Sequence, residues 1–259
     1  MLFLMKLMTY NILNGAKDNL AKVIAVINRE SPDFLGINEA NGFDDNNQKI
    51  IKEFAAKIGL PFFDLAKCGD GDDYHIAVFS KQPFEKIEHL DGFARAAIAV
   101  DIKTDFGTIS IIATHLTPYT EALRMEEVKK ILSHDHGSSY KVLMGDLNSL
   151  SRADDYDPKI VATFNEMQTK KFTADGRLLF HVTDKLLQPS YVDPAILADK
   201  QKVFTAPTSI NEYEAHNNMR LDYILVSPQL QARLSVYGVI KDELTNVASD
   251  HFPVIVELR

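Results

Sequence analysis

Six separated segments of the chain carry residue types suited to acid–base and hydrogen-bonding chemistry. Gly145-Asp146-Leu147-Asn148 closes the apolar run Val142-Leu143-Met144 and sets a carboxylate and a carboxamide two residues apart at the mouth of a strand. Ser249-Asp250-His251 places an acid beside an imidazole just before the last apolar run, so both can face one cleft from a loop. Asn11, Glu39 and His115 close three further runs, and Asp222 lies at another. Singly, each has a structural explanation, because Asp and Asn favour turns and short motifs recur by chance. Together they deliver acids, amides and imidazoles to strand ends and adjoining loops, which is how α/β sites are assembled.

The elements that must position them are legible as apolar patterns. Short runs rich in Ile, Val and Phe predict buried strands at Leu7 to Tyr10, Phe34 to Ile37, Ile109 to Ala113 and Val142 to Gly145. Further strands are expected at 76–80, 96–102, 221–226, 234–239 and 254–258. Leu20, Val23, Ile24 and Ile27 recur at helical spacing after Asp18 as the expected N-cap, and Ile50, Ile51, Phe54 and Ile58 repeat the pattern. A third helix is predicted from Thr120 to Leu132, with Met125, Val128 and Leu132 on its buried side. This alternation, followed by strands alone near the end, predicts a layered α/β or α+β architecture. The stretch 149–207, with scattered prolines and two expected short helices, reads as an insertion between two strands.

With 259 residues, 46% of them hydrophobic, the chain can bury a substantial core, which excludes disordered, collagen-like and coiled-coil classes. A net charge of −8 disfavours sequence-independent duplex binding through clustered cations. It leaves room for a nucleic-acid substrate held through a bound cation. The single Cys68 allows no internal disulfide, and Lys6 interrupts the apolar start, so a soluble, cytoplasmic protein without a membrane partner is expected.

At this conjunction the chain resembles the metal-dependent endonuclease/exonuclease/phosphatase superfamily, which includes deoxyribonuclease I and AP endonucleases. The matching motifs are Thr9-Tyr10-Asn11-Ile12, Asn38-Glu39, Thr114-His115-Leu116, Gly145-Asp146-Leu147-Asn148, Arg220-Leu221-Asp222-Tyr223-Ile224 and Ser249-Asp250-His251, in the family's order and across nearly the whole chain. The resemblance implies an α/β (α+β) four-layer sandwich of two facing mixed β-sheets flanked by helices, as one domain over residues 1–259. It also implies hydrolysis of a phosphate ester with Mg²⁺, for which Mn²⁺ can substitute.

Carried over residue by residue, the resemblance makes Glu39, Asn11 and Asp250 the metal ligands. These are oxygen donors only, which suits a hard cation rather than zinc. Asp146 orients or deprotonates the attacking water and Asn148 holds water or phosphate. His251 and His115 donate to non-bridging oxygens, where charge develops. Asp222 is expected to fix the tautomer of His251, and Asp73 is a weaker candidate to partner His115. Arg95 stands where family members carry a phosphate-contacting arginine, beside Asn148 and His115. Tyr74 and His75 adjoin the expected cleft, and Arg124 is either a helix-surface charge or a structural anchor.

The chain departs from the family in carrying Asn38 in place of the usual glutamine and in having no tryptophan to serve as an aromatic wedge. Asp44-Asp45 and Asp70-Gly71-Asp72-Asp73 are expected to repel a long polyanion. The expected activity is a nuclease-like phosphodiesterase, with substrate selection in 149–207. A phosphomonoesterase or lipid-headgroup diesterase is the alternative. A non-catalytic binding module is least favoured, since all the family's site positions are present.

Overall fold

The computed structural model describes residues 4–69, 71–134, 137–211 and 216–259. Asp70, in one of the acidic stretches, lies outside them.

Among the described residues, eleven strands build two facing sheets. In the first, β1 (Met5–Asn11), β2 (Phe34–Asn38), β3 (Phe62–Ala66), β4 (Ile76–Ser80), β12 (Leu234–Val239) and β13 (Val254–Leu258) run in the order β12-β13-β1-β2-β4-β3. In the second, β5 (Phe84–His89), β6 (Ala96–Thr104), β7 (Gly107–His115), β8 (Tyr140–Asp146) and β11 (Asp222–Val226) run in the order β11-β8-β7-β6-β5. Each sheet mixes one parallel pair, β1 with β2 and β7 with β8, among antiparallel ones. A two-residue hairpin, β9 (Thr173–Ala174) with β10 (Arg177–Leu178), lies outside both sheets.

Successive side chains of a strand point to opposite faces, and here both faces of the central strands are covered, so β1, β2, β4, β8 and β11 are largely apolar. Leu7, Phe34 and Val78 of the first sheet meet Ile98, Ile111, Met144 and Ile224 of the second in the central core. On the outside, Met8, Leu35 and Phe79 pack against Val23 and Ile27 of α1 (Leu20–Glu30) and Phe54 of α2 (Asp45–Ile58). Ile112, Leu143 and Tyr223 pack against Val128 and Ile131 of α3 (Glu121–Ser133) and Val182 and Leu186 of α5 (His181–Leu187). The result is the expected four-layer α/β sandwich.

Three local expectations need correction. The edge strands β3 and β5 are missed from sequence because they are half-exposed and mix charges with apolar residues. Asn19, not Asp18, occupies the N-cap of α1, with no side-chain cap bond. On α3, Met125 and Leu132 are half-buried, and Glu121, Arg124 and Glu127 share the buried side with Val128 and Ile131. Thr120 does cap α3, accepting from Leu123 N at 3.4 Å.

The stretch 149–207 holds three helices rather than two: α4 (Glu166–Phe172), α5 and α6 (Pro194–Leu197). It supplies α5 to an outer layer and Ala195 to the central core, and gathers Leu150, Phe172 and Ala206 with Met219 and Leu221 in a small core of its own. Among the described residues no helix is long and apolar enough to cross a membrane.

Candidate functional site

Strand register brings the predicted residues to one end of the sandwich. Asn11 lies opposite Asn38 across β1 and β2. In the second sheet His115 lies opposite Asp146, Asp146 opposite Asp222, and Ala96, next to Arg95, opposite His115. Asn38 ties the two sheets together at this level, donating from Nδ2 to Thr114 O at 2.8 Å and accepting from Asp146 N at Oδ1 at 3.1 Å. The Asn38 side chain thus serves as a buried clamp between the sheets.

The cluster centres on Asp146. Its Oδ2 accepts from Asn11 Nδ2 at 3.3 Å and lies 3.5 Å from His115 Nε2 and 3.9 Å from His251 Nε2. Its Oδ1 accepts from Asn148 N at 2.8 Å, while Asn148 Nδ2 donates to Leu116 O at 2.7 Å. Gly145 permits this arrangement, with φ of 134° at a point where a Cβ would sit 1.8 Å from Thr114 O. Asn11 also donates to Glu39 Oε1 at 3.2 Å, and Asn14 N donates to Glu39 Oε2 at 2.9 Å. Glu39 itself has φ of 60° and opens a tight junction in which Leu13, Asn14, Gly15 and Ala16 all have positive φ. Ser249 Oγ donates to Asn11 O at 2.7 Å, drawing the Asp250-His251 loop onto the same end.

Electrostatics separates the titratable groups. Burial pushes the Glu39 carboxyl up to about 7, reinforced by the neighbouring Asp250. Burial also acts to raise Asp146, but the two imidazoles outweigh it and hold that carboxyl below the usual range. Burial would lower His251, yet Asp222, Asp250 and Asp146 lift it to about 10, so it is an imidazolium at neutral pH. Its Nδ1 donates to Asp222 Oδ2 at 2.7 Å. Burial takes His115 down to about 4, leaving it neutral.

The structure therefore brings together Asn11, Glu39, His115, Asp146, Asn148, Asp222, Asp250 and His251. Arg95 is buried, its guanidinium 3.6 Å from the centre of the Tyr74 ring and its Nη1 3.4 Å from Asp72 Oδ2. Tyr74 thus supports Arg95. The remaining predictions fall elsewhere: His115 faces Asp146 rather than Asp73, whose side chain is exposed. His75 is structural, accepting from Cys68 N at Nδ1 and facing Asp44 from Nε2 at 3.3 Å. Arg124 is a fully buried anchor, donating to Thr117 O and Lys171 O. The acidic stretches are partly neutralised, since Asp44 pairs with Lys67 at 2.6 Å and Asp72 with Arg95.

Two residues that sequence reasoning missed join the site. His216 Nε2 lies 3.6 Å from Asp250 Oδ2 and its ring stands edge-on to that of His251. Lys171, on α4, is buried and acts electrostatically on Asp146, His115, His216 and Glu39. Neither carries a local signal: each is one polar residue in a polar stretch, Lys171 within the insertion and His216 beyond it, and only the folded path of the chain brings them here.

Oxygen donors prevail around Glu39, and the mutual repulsion of Glu39 and Asp250 is of the kind a hard cation relieves. Among the described residues, two triads could offer ligand atoms within 4.8 Å of one another: His216, Asp250 and His251, and Asp146, Asp222 and His251. Hollows of about 340 Å³ beside Asn14 and about 530 Å³ beside Arg95 flank the cluster.

Comparison with known proteins agrees with this fold. The model of the Endonuclease/Exonuclease/phosphatase family matches residues 8–251. No curated protein matches the chain. An AP endonuclease structure from Archaeoglobus fulgidus superposes with a TM-score of 0.72 at 21% identity, covering 97% of this chain and 98% of that one. The 3′ phosphatase NExo from Neisseria, bound to product DNA hairpin, gives 0.70 at 20% identity over 98% and 99%. An endonuclease/exonuclease/phosphatase from Beutenbergia cavernae gives 0.68 at 21% over 99% and 71%.

Proposed function

Because the chain belongs to the endonuclease/exonuclease/phosphatase family, we propose that it is a metal-dependent phosphoesterase that cleaves a phosphodiester, as nucleases do, by attack of water on phosphorus. The observation that carries this reading is the Asp146 carboxylate, buried where the sheets meet, between two imidazoles and bonded to the amide it shares with Glu39.

A carboxyl held low stays ionised, so Asp146 accepts a hydrogen bond from the attacking water and aims it. Asn148, its amide nitrogen engaged by Leu116 O, offers Oδ1 to the same water. His251 donates from Nε2 to a non-bridging oxygen, and Asp222 keeps the Nδ1 proton in place. Neutral His115 adds a second donor, and Arg95 presents its fork to the phosphate. Glu39, Asn11 and Asp250 hold the cation, Mg²⁺ or Mn²⁺ by their chemistry. When bound, it polarises a phosphoryl oxygen and offsets the charge of the carboxylates.

Nucleic acid is the preferred substrate class, supported by the pairing of the acidic stretches with Lys67 and Arg95. A single domain, with 149–207 selecting the substrate, and a cytoplasmic location complete the proposal. Hydrolysis of a chromogenic phosphodiester and its matching monoester, with Mg²⁺, Mn²⁺ or EDTA, tests it. Cleavage of the diester in preference to the monoester, abolished by EDTA and lowered at least ~10²-fold by Glu39→Gln and by His251→Ala, is expected. Near wild-type rates in both variants would show the site to be elsewhere.

A further inference from the structure

Lys171 is 7% exposed, and among the described residues its ammonium makes no hydrogen bond or ion pair, lying 5.0 Å from the centre of the Phe172 ring. Its position is fixed rather than incidental. Its own carbonyl accepts from Arg124 at 2.6 Å, Phe172 beside it is buried in the insertion's small core, and Asn165 and Gln168 form a capping box at the start of α4. The side chain is thus held in place, and an ammonium so largely covered, with no carboxylate bonded to it, is unfavourable unless something completes it.

The surroundings specify what is missing. Lys171 lies in the fields of Arg124 and Arg95, like charges gathered around one spot. Arg95 is itself incomplete, with a buried Nε lacking a partner, and so is His115, at Nδ1. The anion that acts most strongly on it, Asp146, is already shared by two imidazoles and Asn11. A set of buried cations and donors with spare capacity, converging beside a carboxylate that is already satisfied, suits an incoming anion with several oxygens.

Building on the phosphoesterase reading, we propose that Lys171 is a catalytic residue through which the insertion grips a non-bridging oxygen of the scissile phosphate. A fixed ammonium there counters the charge that this oxygen gains as water adds to phosphorus. Lys171 neither gives nor takes a proton in this role. The insertion thereby supplies part of the chemistry as well as the substrate-binding wall.

The test uses the full chain with Mg²⁺ and bis(p-nitrophenyl) phosphate, and inorganic phosphate as the binding probe in calorimetry. Lys171→Met, which keeps the volume and removes the charge, is expected to lower kcat/KM by about 10²-fold or more. Phosphate affinity should fall at least tenfold, with the Mg²⁺ concentration for half activation unchanged. Lys171→Arg should recover at least a tenfold part of the loss. If Lys171→Met does not fold, Lys171→Gln carries the same expectations. Cleavage and phosphate affinity within threefold of wild type would overturn the assignment while leaving the phosphoesterase reading intact. So would a loss matched by a rise in the Mg²⁺ requirement, which would mean that Lys171 acts only through its carboxylate neighbours. Wild-type protein that neither cleaves the diester nor binds phosphate would overturn both.

Discussion

Replacing Gly145 with alanine tests whether the site depends on the close approach of β7 and β8 as the structure indicates. A Cβ at this position would lie 1.8 Å from Thr114 O, against the ~3.0 Å that real Cβ atoms keep, so a shift of about 1.2 Å is required. The atom that must move, Thr114 O, also accepts from the Asn38 amide that clamps the sheets, and Asp146 is the next residue on β8. Straining alanine into φ of 134° costs roughly 1–3 kcal/mol, and loosening the buried Asn38 bond about another 1–2 kcal/mol. The sum, about 2–5 kcal/mol, corresponds to a fall in Tm of roughly 4–20 °C for a chain of this size. A displacement near 1 Å at Asp146 should lower kcat by about 10²-fold, because catalysis depends on atoms placed within fractions of an ångström. Gly176→Ala is the control, having φ of 72° but nothing within 4 Å of the added methyl. It should lose only ~1 kcal/mol and keep its activity. Thermal unfolding and single-substrate kinetics on both variants read the outcome. Gly145→Ala with turnover within threefold of wild type and an unchanged Tm would refute the reasoning.

Other expectations concern stability away from the chemistry. Arg220, buried two residues before β11, pairs with Asp154 at 2.7 Å and Asp193 at 2.8 Å. Arg220→Met should destabilise by about 3–5 kcal/mol by leaving two buried carboxylates unpaired, and a denaturation midpoint equal to wild type would show that they relax into solvent. Lys241 sits against the rings of Phe204 and Phe252, and burial lowers its ammonium to about 8 from 10.5. Between those values the unfolded chain binds more protons than the folded one, so stability from this group should rise as pH goes from 8 to 10.5. Lys241→Met should flatten that part of the Tm profile; an identical profile would show that the rings hold the proton as firmly as water does.

The buried strands and the identity of the central residues were readable because both obey local rules. Strands covered on both faces are continuous apolar runs, and β4 and β13 fall on their expected bounds. Edge strands such as β3 and β5 lack that signature, since one side of each faces solvent. Arg124 could be weighed as an anchor or a surface charge but not decided, because burial is a property of the packed helix. The pairing of His115 with Asp146 rather than Asp73 depends on the register of β7 against β8, which no single segment encodes.

The sequence by itself determined which acids, amides and imidazoles the site has and which ends of which strands carry them, because residue type and apolar period are local properties. The tertiary structure decided their distances and charge states. It showed that Asn38 bridges the sheets, that His251 is an imidazolium beside Asp222, and that His216 and Lys171 enter from segments with no signal of their own. The reason is physical. Burial and the fields of neighbours set a group's protonation, and both arise only when strands far apart in the chain are brought into register.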